Sequence, residues 1–211
     1  MQNEETEKYW SRFSDKYDEN QAYVVGKDFI GEIDRELSKL PKLGKTVELG
    51  CGTGIFTEMI IPKAIHLVAT DLSNELLALA RKRLSNNPKV IIQNENCLAT
   101  SFASGSFDSA FMANLIHVVE HPDQVLQECH RVLRKGGMMI IVTYTNVGMH
   151  LLDKIKLGLR FIKVWGKPPK HTHIFSPERL AALMESAGFT IEEAKLIGNR
   201  SKAVFVIGKK V

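Results

Sequence analysis

The residues best placed to do chemistry are Glu48, Gly50, Cys51, Gly52 and Gly54, with Asp71 and Leu72 further on. The glycines have no Cβ, so the backbone can turn sharply there and come close to a ligand. Val47-Glu48-Leu49 reads as the end of a buried strand, and Ile65-His66-Leu67-Val68-Ala69-Thr70 as a second strand that delivers Asp71. A carboxylate at that point can accept hydrogen bonds from the two hydroxyls of a ribose. The constellation therefore reads as a cradle for a nucleoside-bearing cofactor.

Which cofactor depends on the spacing of the glycines. The dinucleotide pattern G-x-G-x-x-G, begun at Gly50, puts its third glycine at Ile55. That glycine serves close helix–strand packing beside a pyrophosphate. Ile55 would crowd the contact, which argues against a nicotinamide-binding oxidoreductase or a flavoprotein. The run here is E-x-G-x-G-x-G. With the Ser106-Phe107-Asp108 entry to a later strand and the turn Arg131-Val132-Leu133-Arg134-Lys135-Gly136-Gly137, it resembles the class I S-adenosylmethionine-dependent methyltransferases. The resemblance is clear over residues 9–143.

The resemblance implies S-adenosylmethionine as cofactor and S-adenosylhomocysteine as product. It also implies an α/β fold: a doubly wound, Rossmann-like, seven-stranded sheet of order 3-2-1-4-5-7-6, strand seven antiparallel, under an N-terminal helical cap. It puts Glu48, Gly50, Cys51, Gly52, Gly54, Asp71, Leu72, Asn96, Cys97 and Asn114 around the cofactor. Lys135 stands where the family commonly has proline. Asn96 stands where it has an aspartate facing the adenine amino group, and its amide oxygen can still accept that bond. Tyr17-Asp18 resembles the entry whose aromatic covers the cofactor. Trp10, Phe13 and Tyr17 also suit the buried stripe of a helix, and both readings of Tyr17 stand.

Chemistry on the acceptor is less legible. His117 and His121 follow the fourth strand, where either could act as a general base or serve as a structural hydrogen-bonding group. His171 and His173 fall on one face of an extended segment, within reach of an acceptor. As a pair they lack the further ligands usual for zinc, so no metal is expected. No arrangement calls for a covalent intermediate.

These groups need a frame. A chain of 211 residues, 44% hydrophobic and 25% charged, suits one α/β domain over 1–211. Residues 1–40 read as the helical cap, interrupted around Glu19-Asn20-Gln21. Strands are expected at 45–50, 65–70, 89–93, 107–113, 138–143, 189–198 and 203–208. Helices are expected after Gly54, after the Ser73 cap and after Ser176-Pro177. The three cysteines are scattered, and the polar, acidic start has no leader character, so the reducing cytoplasm is the expected compartment.

Residues 144–175 exceed a simple crossover and read as a basic amphipathic insertion over the substrate. From Met149 to Lys170 there are six Lys or Arg and one Asp, a net +5 against +4 for the whole chain, so the rest sums to −1. Leu151, Leu152, Ile155, Leu159 and Ile162 form one helical face. Such a helix can be a packed lid with a solvated basic back, or lie on a membrane surface at 149–170. Nucleic acid is not expected as a partner: Asn114-Leu115-Ile116-His117 lacks the loop that presents a flipped base. The expected activity is methyl transfer to a small, apolar or anionic acceptor such as a quinone precursor or lipid. A SAM-binding regulatory protein without catalysis is the alternative.

Overall fold

The computed structural model describes residues 2–211. The sheet is built from β1 (Gly44–Leu49), β2 (Ala64–Asp71), β3 (Val90–Asn94), β4 (Phe107–Ala113), β5 (Leu133–Thr145), β6 (Phe189–Ile197) and β7 (Lys202–Lys210), in the order β3-β2-β1-β4-β5-β7-β6. β1 to β5 pair in parallel, while β7 runs antiparallel between β5 and β6. This is the expected Rossmann-like topology. The order reverses beside β1, so the carboxyl ends of β1, β2 and β4 open on one crevice.

The strands are apolar on both faces because both are covered. Side chains alternate across a strand, and β4 shows the division. Ala110 and Met112 join a core with Val125, Leu126 and Val132 of α6 (Pro122–Val132) and Leu180 of α8 (Pro177–Ser186). Phe111 and Ala113 face the other way. They meet Ile33 and Leu37 of α3 (Lys27–Leu37), Phe56 and Ile60 of α4 (Ile55–Ile60), and Trp165, the last residue of α7 (Leu151–Trp165). α5 (Asn74–Leu84) opens on Ser73, whose hydroxyl accepts the Leu76 N–H at 3.1 Å.

Three expectations are corrected. The N-terminal helices do not break at 19–21. α1 (Gln2–Ser11) ends before a turn and a short 3-10 segment, α2 (Tyr17–Val25) runs through Glu19, Asn20 and Gln21, and the next break is Gly26 at φ 95°. Polarity suggested a turn there, but the Gln21 amide is needed inside, where it donates to Tyr144 Oη at 2.8 Å. β5 starts at Leu133 instead of 138, because Leu133 already pairs with Phe107. The register then shifts before Ser109 pairs with Met138. The third correction concerns α7. Leu157, Phe161, Val164 and Trp165 are the residues that pack on the core. The expected apolar face, Leu151, Leu152, Ile155, Leu159 and Ile162, is exposed.

Candidate cofactor site

The crevice at the switch in strand order holds an open pocket of about 890 Å³ of empty space. Its floor is the glycine loop. Gly50 has φ 74°, and a Cβ there would approach Leu115 Cδ2 to 2.9 Å, so both backbone and space require glycine. Gly52 has φ 55° and nothing within 4 Å of a would-be Cβ, which leaves its backbone open to the pocket. Gly54 lies below, as the left-handed N-cap of α4.

Asp71 closes the side wall. Its Oδ2 accepts the Gly52 N–H at 2.8 Å and its Oδ1 the Ser73 N–H at 2.9 Å. Burial raises its pKa and these backbone donors oppose the rise. A carboxylate offers about four lone-pair sites. Backbone N–H groups of Gly52, Leu72 and Ser73 use part of that capacity, and the remainder can take ribose hydroxyls. The backbone thus fixes the carboxylate before any ligand arrives.

Tyr17, Gly50, Cys51, Gly52, Asp71, Leu72, Cys97 and Asn114 all line the pocket. Cys51 is not a nucleophile: burial pushes its thiol well above the usual range. The remaining sequence-selected residues lie elsewhere. Glu48 is fully buried beneath the loop, beside the Thr57 hydroxyl. Burial first, and the nearby Asp71 charge further, push it up to about 8, so it stays protonated at neutral pH. Asn96 is not in the wall, because its Oδ1 accepts the Leu98 N–H at 3.0 Å and shapes the turn. Its neighbour Glu95 lines the pocket instead.

Neither candidate base reaches the pocket. His117 Nδ1 bonds Thr143 Oγ1 at 2.7 Å. Desolvation, with His173 beside it, lowers its pKa to about 4. It is a neutral, structural imidazole. His121 precedes α6 without capping it and lies outside the pocket lining. His173 is likewise structural, with Nε2 on Val119 O at 3.0 Å. Among the described residues no cluster of His, Cys, Asp and Glu could hold a metal.

The roof holds residues that spacing alone did not reveal. α1 contributes Thr6, Glu7 and Trp10 to the pocket. Its Ser11 hydroxyl meets that of Ser73 at 2.6 Å, so the helix is tied to the far wall. Trp165 is packed among Trp10, Phe13 and Tyr17 with ring centroids 5.0–5.3 Å away. Its carbonyl accepts from Tyr9 Oη at 2.8 Å. Below, Asp18 accepts from Thr53 Oγ1 at 2.6 Å and pairs with Arg83, whose Nη1 also donates to Thr53 O at 2.8 Å. This cluster fastens α2 to the glycine loop. Gln21 falls one helical turn after Tyr17, a spacing that could have flagged it.

Among the described residues of the pocket wall, the buried Gln21 Oε1 has no hydrogen-bond partner. Asn114 is held at φ 56° while its Oδ1 accepts the Tyr144 N–H at 3.0 Å.

Fold and site together define a Rossmann-like protein built to hold a nucleoside cofactor without a pyrophosphate. Residues 47–141 match the family model described as a methyltransferase domain. A mouse mitochondrial ubiquinone biosynthesis O-methyltransferase is 28% identical over 158 residues, 70% of this chain and 42% of that protein. A ubiquinone/menaquinone biosynthesis C-methyltransferase of Bartonella henselae is 32% identical over 117 residues, 53% and 45% of the two chains. The solved structure of a SAM-dependent methyltransferase from Thermotoga maritima superposes with TM-score 0.73 at 25% identity, over 96% of this chain and 99% of that one. The chain spans about half the length of the curated relatives it matches. Over residues 47–141 it is similar to the class I S-adenosylmethionine-dependent methyltransferases. The family's cofactor fits the residues present: Asp71 for the ribose and the open Gly52 backbone for close approach.

Proposed function

We propose that this chain transfers the methyl group of S-adenosylmethionine to a small, largely apolar acceptor of the quinone-precursor kind. The observation that carries this reading is the Asp71 carboxylate in the pocket wall, held by the Gly52 and Ser73 N–H groups. The cofactor supplies a sulfonium-activated methyl group, so the protein's work is alignment. Orientation of this kind can contribute roughly 7–11 kcal/mol. Asp71 and the loop would fix the nucleoside. Trp10, Leu115, Val118 and Val119 would exclude water around an apolar acceptor. No histidine is needed as base, which suits an acceptor that enters the pocket already ionised or reacts without losing a proton first. The relatives named for ubiquinone and menaquinone biosynthesis support the choice of acceptor class.

The test is calorimetric titration with S-adenosylhomocysteine, then labelled S-adenosylmethionine with a panel of phenolic and quinol acceptors. The expected result is micromolar binding, weakened at least about 100-fold in Asp71→Ala, and label transfer to a member of the panel. Binding without transfer to any acceptor would favour a SAM-binding regulatory protein. A folded protein that does not bind would overturn the reading.

A further inference from the structure

The exposed side of α7 is unusual for a helix on the surface of a protein. Leu151, Leu152, Ile155, Leu159 and Ile162 are 72%, 70%, 50%, 65% and 59% exposed. At about 100° per residue, these five fall within an arc of about 100°. The residues packed on the core, Leu157, Phe161, Val164 and Trp165, occupy the opposite arc. An ordinary surface helix turns charged and polar residues outward. Here a continuous apolar ridge faces out, and cations border it. Lys163, Lys156 and Arg160 follow one edge. Tyr23 of α2, 45% exposed, extends the surface, with Lys163 Nζ 5.4 Å and Arg160 Cζ 5.8 Å from its ring.

Charge selects the occupant. Residues 149–170 carry net +5 while the rest of the chain carries −1. A second copy docked on this ridge would bring two rows of cations together. A bilayer with anionic headgroups takes up the apolar ridge and meets the bordering cations at once, and it needs no fixed complementary shape. No described helix is long and apolar enough to cross a membrane, so the contact is interfacial. We infer that α7, with Tyr23, is a docking surface for an anionic lipid bilayer and lies along the headgroup boundary. The inference stands apart from the methyl-transfer reading, because none of these residues lines the cofactor pocket.

The test is flotation of the whole chain with vesicles of phosphatidylcholine alone or mixed with phosphatidylglycerol. Binding to the mixed vesicles should exceed binding to phosphatidylcholine alone by at least about tenfold, given roughly fivefold per cation near an anionic surface. The double variant Leu152→Glu/Leu159→Glu should lose vesicle binding. Lys156→Glu/Arg160→Glu should weaken it at least about tenfold. The substituted side chains are solvent-exposed, so circular dichroism and S-adenosylhomocysteine titration should match the wild type. Absence of wild-type binding to the mixed vesicles overturns the inference. So does binding that survives the leucine substitutions, which would mean simple charge adsorption. A wild-type dimer that the leucine variant converts to monomer would assign the ridge to a second copy instead.

Discussion

The two sides of the pocket are made of different materials. The cofactor side is backbone: a loop with left-handed glycines, a carboxylate pinned by backbone N–H groups, and a fully buried acid beneath. The roof is side chain: aromatic rings from α1, α2 and α7 gathered on Trp165. A backbone wall tolerates few residue types, because φ and space dictate them. An aromatic roof needs only bulk and the right neighbours. One side can be held constant while the other is remodelled for a different acceptor.

If that contrast is right, substitutions on the cofactor side should act on binding and those on the roof on packing as well. Asp71→Ala heads the series, with the loss of S-adenosylhomocysteine affinity given above. Trp165→Ala comes next. Losing a buried tryptophan costs about 3–5 kcal/mol, and the roof helices should loosen with it. The expected result is a large fall in melting temperature and about a tenfold weaker S-adenosylhomocysteine titration. Unchanged affinity would show that the roof serves the acceptor alone.

Glu48→Gln is smaller and depends on pH. The folded protein holds the Glu48 proton up to about pH 8, whereas the ordinary value is 4.5. Between those values the unfolded chain has released a proton that the folded chain keeps. The Glu48 contribution is therefore fully present below pH 4.5 and is lost as pH rises towards 8. Thermal melts of the native protein should decline across that window more than those of Glu48→Gln. Parallel curves would mean that Glu48 ionises freely.

The smallest effects belong to the histidines. His117→Gln should cost about 1 kcal/mol of stability through the Thr143 bond. Neither it nor His121→Ala should move the pH dependence of turnover near neutrality. A shift on either substitution would restore a histidine base to the acceptor side.

The legibility of the sequence follows the same divide. The strand order, the loop and Asp71 could be read because glycine spacing and strand ends are local properties. The bond from Leu98 N–H to Asn96 Oδ1 was not legible, because an amide that can face an adenine can also cap its own turn. Gln21 carried only the hint of its spacing from Tyr17, and the Asp18–Thr53–Arg83 cluster was not legible, since the partners are distant in the chain. In α7 the apolar periodicity was visible, but two apolar arcs competed. Which one meets the core was decided by the pocket that Trp10, Phe13 and Tyr17 make for Trp165.

The position of β7 also governs the order in which the molecule can assemble. β6 has only β7 as a strand neighbour, and β7 follows it in the chain. In the finished sheet β6 reaches β5 only through Lys202–Lys210, the segment that follows it in the chain. The pairing of β5 with β7 joins segments far apart in sequence, from Met138 with Lys209 to Thr145 with Lys202. Closing such long loops is slow compared with local contacts. The cofactor crevice, framed by β1, β2 and β4, can form first, and completion of the sheet is the late event.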